Sequence, residues 1–157
     1  MLYLASQSPR RRELLGQLGA TFFVLDVNVV EQRTIDESPR DYVRRVARDK
    51  AKEGFASLDA NQRATAVVLG ADTEVVLEGD VFGKPGDAAD AAAMLRRLSG
   101  RTHEVISAVC LVSAEREADA MCVSSVRFAA LDESTIDTYV ASGEPFGKAG
   151  AYAIQGR

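Results

Sequence analysis

The sequence predicts an α/β domain, and three observations carry that reading. Short apolar runs such as "LYLA", "VVLG" and "VISAVCLV" have the length of strands. Between them lie segments that open on Ser-Pro or Asp and close on glycine, the punctuation of helices. "EGD" at residues 78–80 interrupts two apolar runs as a hairpin turn would.

In chain order, "LYLAS" reads as a short buried strand. A helix follows over Pro9 to Leu18, with Ser8 as its cap, proline at the first helical position and Gly19 as its stop. "TFFVLDVNVV" (21–30) predicts a second strand ending at Glu31. Ser38 and Pro39 open another helix that runs to Gly54, with Tyr42, Val43, Val46 and Ala47 on one apolar face. "TAVVLG" predicts a buried strand to Gly70, followed by the hairpin. Asp87 caps an alanine-rich helix closed by Gly100. "HEVISAVCLVSAE" and "AMCVSSVRFAAL" fit an adjacent antiparallel pair, and "DESTIDTYVASG" a capped helix ending at Gly143. A glycine-punctuated tail completes the chain. With 157 residues, no repeat and no linker, the expected organisation is one domain over 1–157.

Composition narrows the function classes. The chain is 46% hydrophobic and 27% charged, with a net charge of -4, which disfavours a general nucleic-acid binder. No apolar run has the length of a membrane span, and the N-terminus lacks a signal-peptide layout. Cys110 and Cys122 stand in apolar stretches without metal-ligand spacing, as in a reduced cytoplasmic protein. His103 is the single histidine and has no sequence partner, so a polyhistidine metal site is excluded and any metal should be a hard cation on carboxylates.

Four features carry chemistry. Arg10, Arg11 and Arg12 crowd the first turn of a helix, where the macrodipole is already positive and cations are unfavourable by roughly 0.3–1 kcal/mol each. Free N–H groups beside arginine forks suit a phosphate, and a solvated basic helix start is the plain alternative, especially for Arg12. Asp72 follows Val67-Val68-Leu69-Gly70 and is expected at the end of a strand, where ligands bind in open α/β sheets and where aspartates also make simple turns. Glu31 is expected to end its strand in the same way, so the two carboxylates could share one metal. Lys50 falls on the apolar face of its helix, either snorkelling at the core edge or pointing into a site. Lys84, in "FGKPGD", reads by itself as a loop lysine.

Taken together, "LASQSPRRRELL", Glu31, "VARDKA", "LGADTEVVLEGDVFGKP", "MLRRLSGRTHEVISAV" and "YVASGEPFGKAGAYAIQG" resemble, in order, the Maf family of nucleotide pyrophosphatases, also called septum-formation-inhibitor-like proteins. The resemblance runs from residue 2 to residue 156. It implies an inosine-triphosphatase-like (Maf/Ham1) fold, a twisted mixed β-sheet with helices and a central nucleotide cleft. It also implies hydrolysis of a nucleoside triphosphate to monophosphate and pyrophosphate with a divalent cation, Mg²⁺ or Mn²⁺, in a cytoplasmic protein that is frequently a homodimer. By the same resemblance Asp72 is the general base and shares a metal with Glu31, while Ser8, Arg11, Lys50 and Lys84 bind phosphate. Arg10, Thr73 and Gln155 are the combination of the dTTP/UTP branch rather than the 7-methyl-GTP branch. A glutamine amide suits that assignment, since it can donate to O4 and accept from N3–H of thymine or uracil. Family members typically continue for a few dozen residues past the "QG" at 155–156, so this chain is expected to lack the family's C-terminal segment. The alternatives are a 7-methyl-GTP-type pyrophosphatase of the same family and a nucleotide-binding regulator tied to cell division with little catalysis.

Overall fold

The computed structural model describes residues 1–156. The element order is β1 (Leu2–Ala5), α1 (Pro9–Gln17), β2 (Phe22–Val24), α2 (Pro39–Ser57), α3 (Ala60–Arg63), β3 (Val67–Leu77), β4 (Asp80–Phe82), α4 (Ala88–Leu98), β5 (Thr102–Val112), β6 (Glu117–Arg127) and α5 (Glu133–Ala141), then a 3₁₀ turn at Ala149–Ala151. The α/β expectation holds. A six-stranded mixed sheet runs β2-β1-β3-β5-β6, with β4 on β3. β1 is parallel to β2 and β3, and β4 is antiparallel to β3. The chain forms two compact units, residues 1–72 with 107–122 and residues 73–106 with 123–157.

The first unit is organised by α2. Ser38 accepts a hydrogen bond from the Asp41 N–H at 3.1 Å, and Pro39 presets the first helical residue. Tyr42, Val43, Val46, Ala47, Lys50, Ala51 and Gly54 are its buried face, a 3–4 residue spacing. Tyr3, Ala5, Leu58, Ala66 and Val68 form the adjoining core. Two glycines set how closely this helix approaches the sheet. A Cβ on Gly70 would lie 2.1 Å from the Ala47 carbonyl oxygen, and one on Gly54 would lie 3.0 Å from both Ala5 Cβ and Val68 Cγ1. Gly54 is therefore a packing glycine inside a helix that continues to Ser57, not the stop that the sequence predicts.

The expected second strand is shorter than its apolar run. Only Phe22–Val24 pairs with β1, register Leu2↔Phe22 to Leu4↔Val24, because β1 itself leaves the sheet after Ala5. Residues 26–33 are irregular, so Glu31 lies in a loop and does not end a strand. Arg45 of α2 clamps that loop: its Nε and Nη2 bond Glu37 at 2.6 and 2.9 Å, and Nη2 bonds the Gln32 carbonyl at 3.0 Å.

In the second unit, Glu78 (φ 54°) and Gly79 (φ 89°) form the two-residue hairpin between β3 and β4, with Leu77 opposite Asp80. Two left-handed residues in succession match the twist of the strands that they join. Val75, Leu77, Phe82 and Leu98 make one buried cluster; Ala91, Ala92, Leu95, Ile136 and Ala151 make another. Asp87 and Asp132 cap their helices by accepting from the Asp90 and Thr135 N–H groups, both at 2.8 Å. Cys110 and Cys122 form no disulfide among the described residues. Among the described residues no helix is long and apolar enough to cross a membrane.

Two outcomes follow. Gly70→Ala forces α2 off β3 and is expected to cost about 3 kcal/mol, the upper end of ordinary overpacking, in urea unfolding. Gly16→Ala is the control: its Cβ would meet nothing within 4 Å, and it should stabilise by up to about 1 kcal/mol. The Arg45 fork holds the Glu37 carboxyl below its usual value of 4.5. A depressed carboxyl contributes stability that is complete above its unfolded pKa and disappears as pH falls through the folded one. The difference in Tm between the wild-type chain and Glu37→Gln should therefore be constant near neutrality, shrink as pH falls below the ordinary 4.5, and vanish only below the lowered pKa of the folded chain.

Candidate active site

β1 and β3 run parallel with Ala5 opposite Gly70, so the chain leaves β1 at Ser6 beside Ala71. Ser6 is buried, and its Oγ accepts from Arg11 Nη1 at 3.0 Å and from the Ser8 N–H at 3.3 Å. The sequence predicts Ser8 as the side-chain cap of α1. Its backbone takes the extended cap conformation, but its side chain makes no capping bond. The hydroxyl of Ser6 organises the turn instead, folding Arg11 back over it. Arg10 pairs with Glu13 of its own helix at 2.9 Å and is exposed, while Arg12 bonds Gln7 at 2.7 Å. No acidic residue occupies the first turn.

Asp72 does not end a strand. β3 continues through it to Leu77, and the residue is only 5% exposed. The apolar run Val75-Val76-Leu77 extends the pairing past Asp72, which the break at Gly70-Ala71-Asp72 conceals in the sequence. Gly70 lets α2 approach closely, so that Lys50, buried on the apolar face of that helix, reaches the carboxylate. Lys50 Nζ lies 2.9 Å from Asp72 Oδ1 and 2.7 Å from Glu31 Oε1. Asp72 Oδ2 is buried with no hydrogen-bond partner among the described residues. Thus the first unit gathers Glu31, Lys50 and Asp72 into one ion-pair triad, and holds Ser8 and Arg11 around Ser6.

Three of the expected site residues belong to the second unit. Thr73 is half-buried in β3, Lys84 is exposed in the loop after β4, and Gln155 is exposed in the turn closed by the Gly156 N–H donating to the Ala153 carbonyl at 3.0 Å. The Lys84 loop and the tail are tied: the Gly150 N–H donates to the Gly83 carbonyl at 3.1 Å, and a Cβ on Gly150 would lie 2.8 Å from Val75. Two buried ionisable residues of this unit escape the sequence reading. Glu74 stands two positions after Asp72, a spacing that points both side chains to one face of a strand. His103 is 3% exposed, and its Nε2 lies 2.7 Å from the Tyr152 hydroxyl. Burial alone depresses the imidazole pKa, keeping the ring neutral, and raises the Tyr152 phenol to about 12. A hollow of about 680 Å³ in this unit is lined by Phe128, Leu131, Ile136, Tyr139, Tyr152 and Ile154 among others, and no carboxylate lines it among the described residues.

Comparison with known proteins supplies a family. The model of the family described as "Maf-like protein" matches residues 1–157. A dTTP/UTP pyrophosphatase of Xanthomonas euvesicatoria pv. vesicatoria is 59% identical over 158 residues, covering 100% of this chain and 83% of that protein. A nucleoside triphosphate pyrophosphatase of Xylella fastidiosa is 57% identical, covering 100% of this chain and 82% of that one. Among solved structures, the Staphylococcus aureus Ham1 protein superposes with a TM-score of 0.48 at 12% identity, over 80% of this chain and 70% of that one, a likeness too distant to carry an assignment. On the match along its whole length and the identity to these relatives, the chain belongs to the Maf family.

Proposed function

We propose that this chain is a nucleoside triphosphate pyrophosphatase acting on dTTP and UTP, cleaving between the α- and β-phosphates. The observation that carries the reading is the state of Asp72: buried, with Oδ1 held by Lys50 and Oδ2 left without a hydrogen-bond partner among the described residues. A carboxylate fixed through one oxygen and open at the other is prepared to take a proton or to hold a hard cation. The names of the relatives in Xanthomonas and Xylella support the same chemistry.

In this reading water attacks the α-phosphorus and Asp72 Oδ2 accepts its proton. The new bond joins the water oxygen to the α-phosphorus, and the bond from that phosphorus to the α,β-bridging oxygen breaks. The products are nucleoside monophosphate and pyrophosphate, the latter leaving with the electron pair of the broken bond. Lys50 orients the carboxylate through Oδ1, while Arg10, Arg11, Ser8 and Lys84 hold the phosphates. From the second unit, Thr73 and Gln155 are assigned to base selection, the Gln155 amide donating to O4 and its oxygen accepting from N3–H. A site that makes such a pair rejects bases that leave it unpaired.

Glu31 and Asp72 also fit a divalent cation. No group of three or more His, Cys, Asp or Glu side chains suited to a metal gathers among the described residues, but Mg²⁺ commonly takes one or two carboxylates and completes its shell with water and substrate phosphate. The half-exposed Glu31 is a donor of that kind, and the unpartnered Oδ2 is another, in place of its role as proton acceptor and not together with it. When bound, such a cation would supply Lewis-acid polarisation of the phosphoryl group.

The test is pyrophosphate release from dTTP, UTP and 7-methyl-GTP with Mg²⁺ and with Mn²⁺, products identified by chromatography. The two pyrimidine nucleotides should be cleaved, and Asp72→Asn should lower kcat about 10²–10⁴-fold, the range for losing a general base, with nucleotide affinity nearly unchanged. Preference for 7-methyl-GTP, or full turnover in Asp72→Asn, overturns the reading.

A further inference from the structure

Gln155 sits on an exposed turn that the Gly156 N–H closes onto the Ala153 carbonyl at 3.0 Å, and further hydrogen bonds hold the segment upstream of it. The Gly150 N–H holds the Gly83 carbonyl at 3.1 Å, the Ala153 N–H donates to the Tyr139 hydroxyl at 3.3 Å, and Tyr152 OH meets His103 Nε2 at 2.7 Å. Beyond Ala153 the side chains turn outward, Ile154 being 69% exposed. Alongside Glu144, whose carboxylate fills the space that a Cβ on Gly156 would take, one anchor of the 153–156 turn is thus Tyr152.

His103 is built to fix that residue. Its ring packs edge-on against Phe128 and Tyr152, with centroids at 5.1 and 5.5 Å, and Phe128 packs on Tyr152 at 4.8 Å. Nδ1 is buried with no hydrogen-bond partner among the described residues, so the polar role of this imidazole within the unit is concentrated in one contact, to the phenol. A buried polar ring retained for a single partner costs desolvation that an apolar ring would avoid. Phenylalanine would fill the same space between two aromatic neighbours. What it could not do is hold the hydroxyl of Tyr152, and with it the rotation of the chain three residues before Gln155.

We infer that His103 is a positioning residue for base selection: through Tyr152 it fixes the turn that presents the Gln155 carboxamide. The inference rests on the assignment of Gln155 to the base. It concerns discrimination between bases, since a donor–acceptor pair tolerates displacement of only about 0.5 Å before it degrades. Cytosine is the discriminating probe, because its amino group and unprotonated N3 reverse the pattern of thymine.

The experiment measures the Kd of dTTP and of dCTP by calorimetry, with Mg²⁺ present and every protein carrying Asp72→Asn to stop turnover, for the otherwise wild-type chain, Tyr152→Phe, His103→Phe and Gln155→Ala. Tyr152→Phe removes one oxygen atom and keeps the three-ring packing, so it remains informative should His103→Phe fold poorly. The expected result is a preference for dTTP in the wild type, lost in Gln155→Ala and reduced about fivefold in Tyr152→Phe, as for a hydrogen bond worth about 1 kcal/mol. If Gln155→Ala loses the preference while Tyr152→Phe keeps it in full, or weakens both nucleotides equally, the role of His103 is overturned and the base assignment survives. If the wild type binds both alike, or Gln155→Ala retains the preference, the base assignment itself falls, and this inference with it.

Discussion

The ammonium of Lys50, sunk among apolar side chains of α2, lies between two carboxylates, at 2.9 Å from Asp72 and 2.7 Å from Glu31. Much of the first unit is arranged so that this contact can exist. It requires that α2 approach β3 until the backbone of Ala47 nearly touches Gly70, where no side chain larger than hydrogen fits. Gly54 makes the same concession one turn further on, against Ala5 and Val68. The loop that brings Glu31 into range is itself pinned to α2, through the paired bonds of Arg45 to Glu37. Helix, strand and loop thus meet at one cation.

Stability alone is a poor explanation for such a triad. Removing a lysine and a carboxylate from water costs several kcal/mol per ion, and well-packed apolar residues of similar volume commonly do as well or better. The surrounding core has the means for that, with Val43, Val46 and Val68 fully buried close by in the same unit. Moreover, the pairing is incomplete on one side, since Asp72 Oδ2 finds no hydrogen-bond partner among the described residues. An unsatisfied charged oxygen is tolerable in a folded protein when a ligand or a transferred proton is to use it. The cost of the triad is understandable as the cost of a reactive carboxylate held in one orientation.

Local rules made much of this architecture legible. Ser38-Pro39, Asp87 and Asp132 start helices by bonds between neighbours in sequence, and Glu78-Gly79 turns a hairpin through its own backbone angles. The apolar spacing of α2 correctly put Lys50 on the buried face. What was illegible depended on partners distant in the chain. The run 21–30 is apolar enough for a long strand, but β1 offers it only three residues of edge. Gly54 looks like a terminator until its neighbours on β1 and β3 are known. Asp72 looks like a strand end because Gly70 weakens the pattern, and Gly70 is there for the helix rather than for the strand. His103 had no partner in sequence because Tyr152 lies 49 residues away. Resemblance to a family named the residues; the physical reasons for their positions came from contacts across the fold.

The arginines at the start of α1 pose the same kind of question as the triad. Three cations stand beside a positive helix terminus with no acidic residue in the first turn and no side-chain cap, an unfavourable placement for a helix by itself. Arg11 bonds the neutral hydroxyl of Ser6 and Arg12 the neutral amide of Gln7, while Arg10 pairs with the exposed Glu13. Helix N–H groups, arginine forks and a buried carboxylate with one open oxygen therefore belong to the same unit and share an electrostatic need. A polyphosphate ester supplies the missing anion and, at its α-phosphorus, the centre that an activated water would attack. That one ligand satisfies both demands is the reason the hydrolytic reading is preferred to simple nucleotide storage: a binding protein would need the arginines, but not the carboxylate.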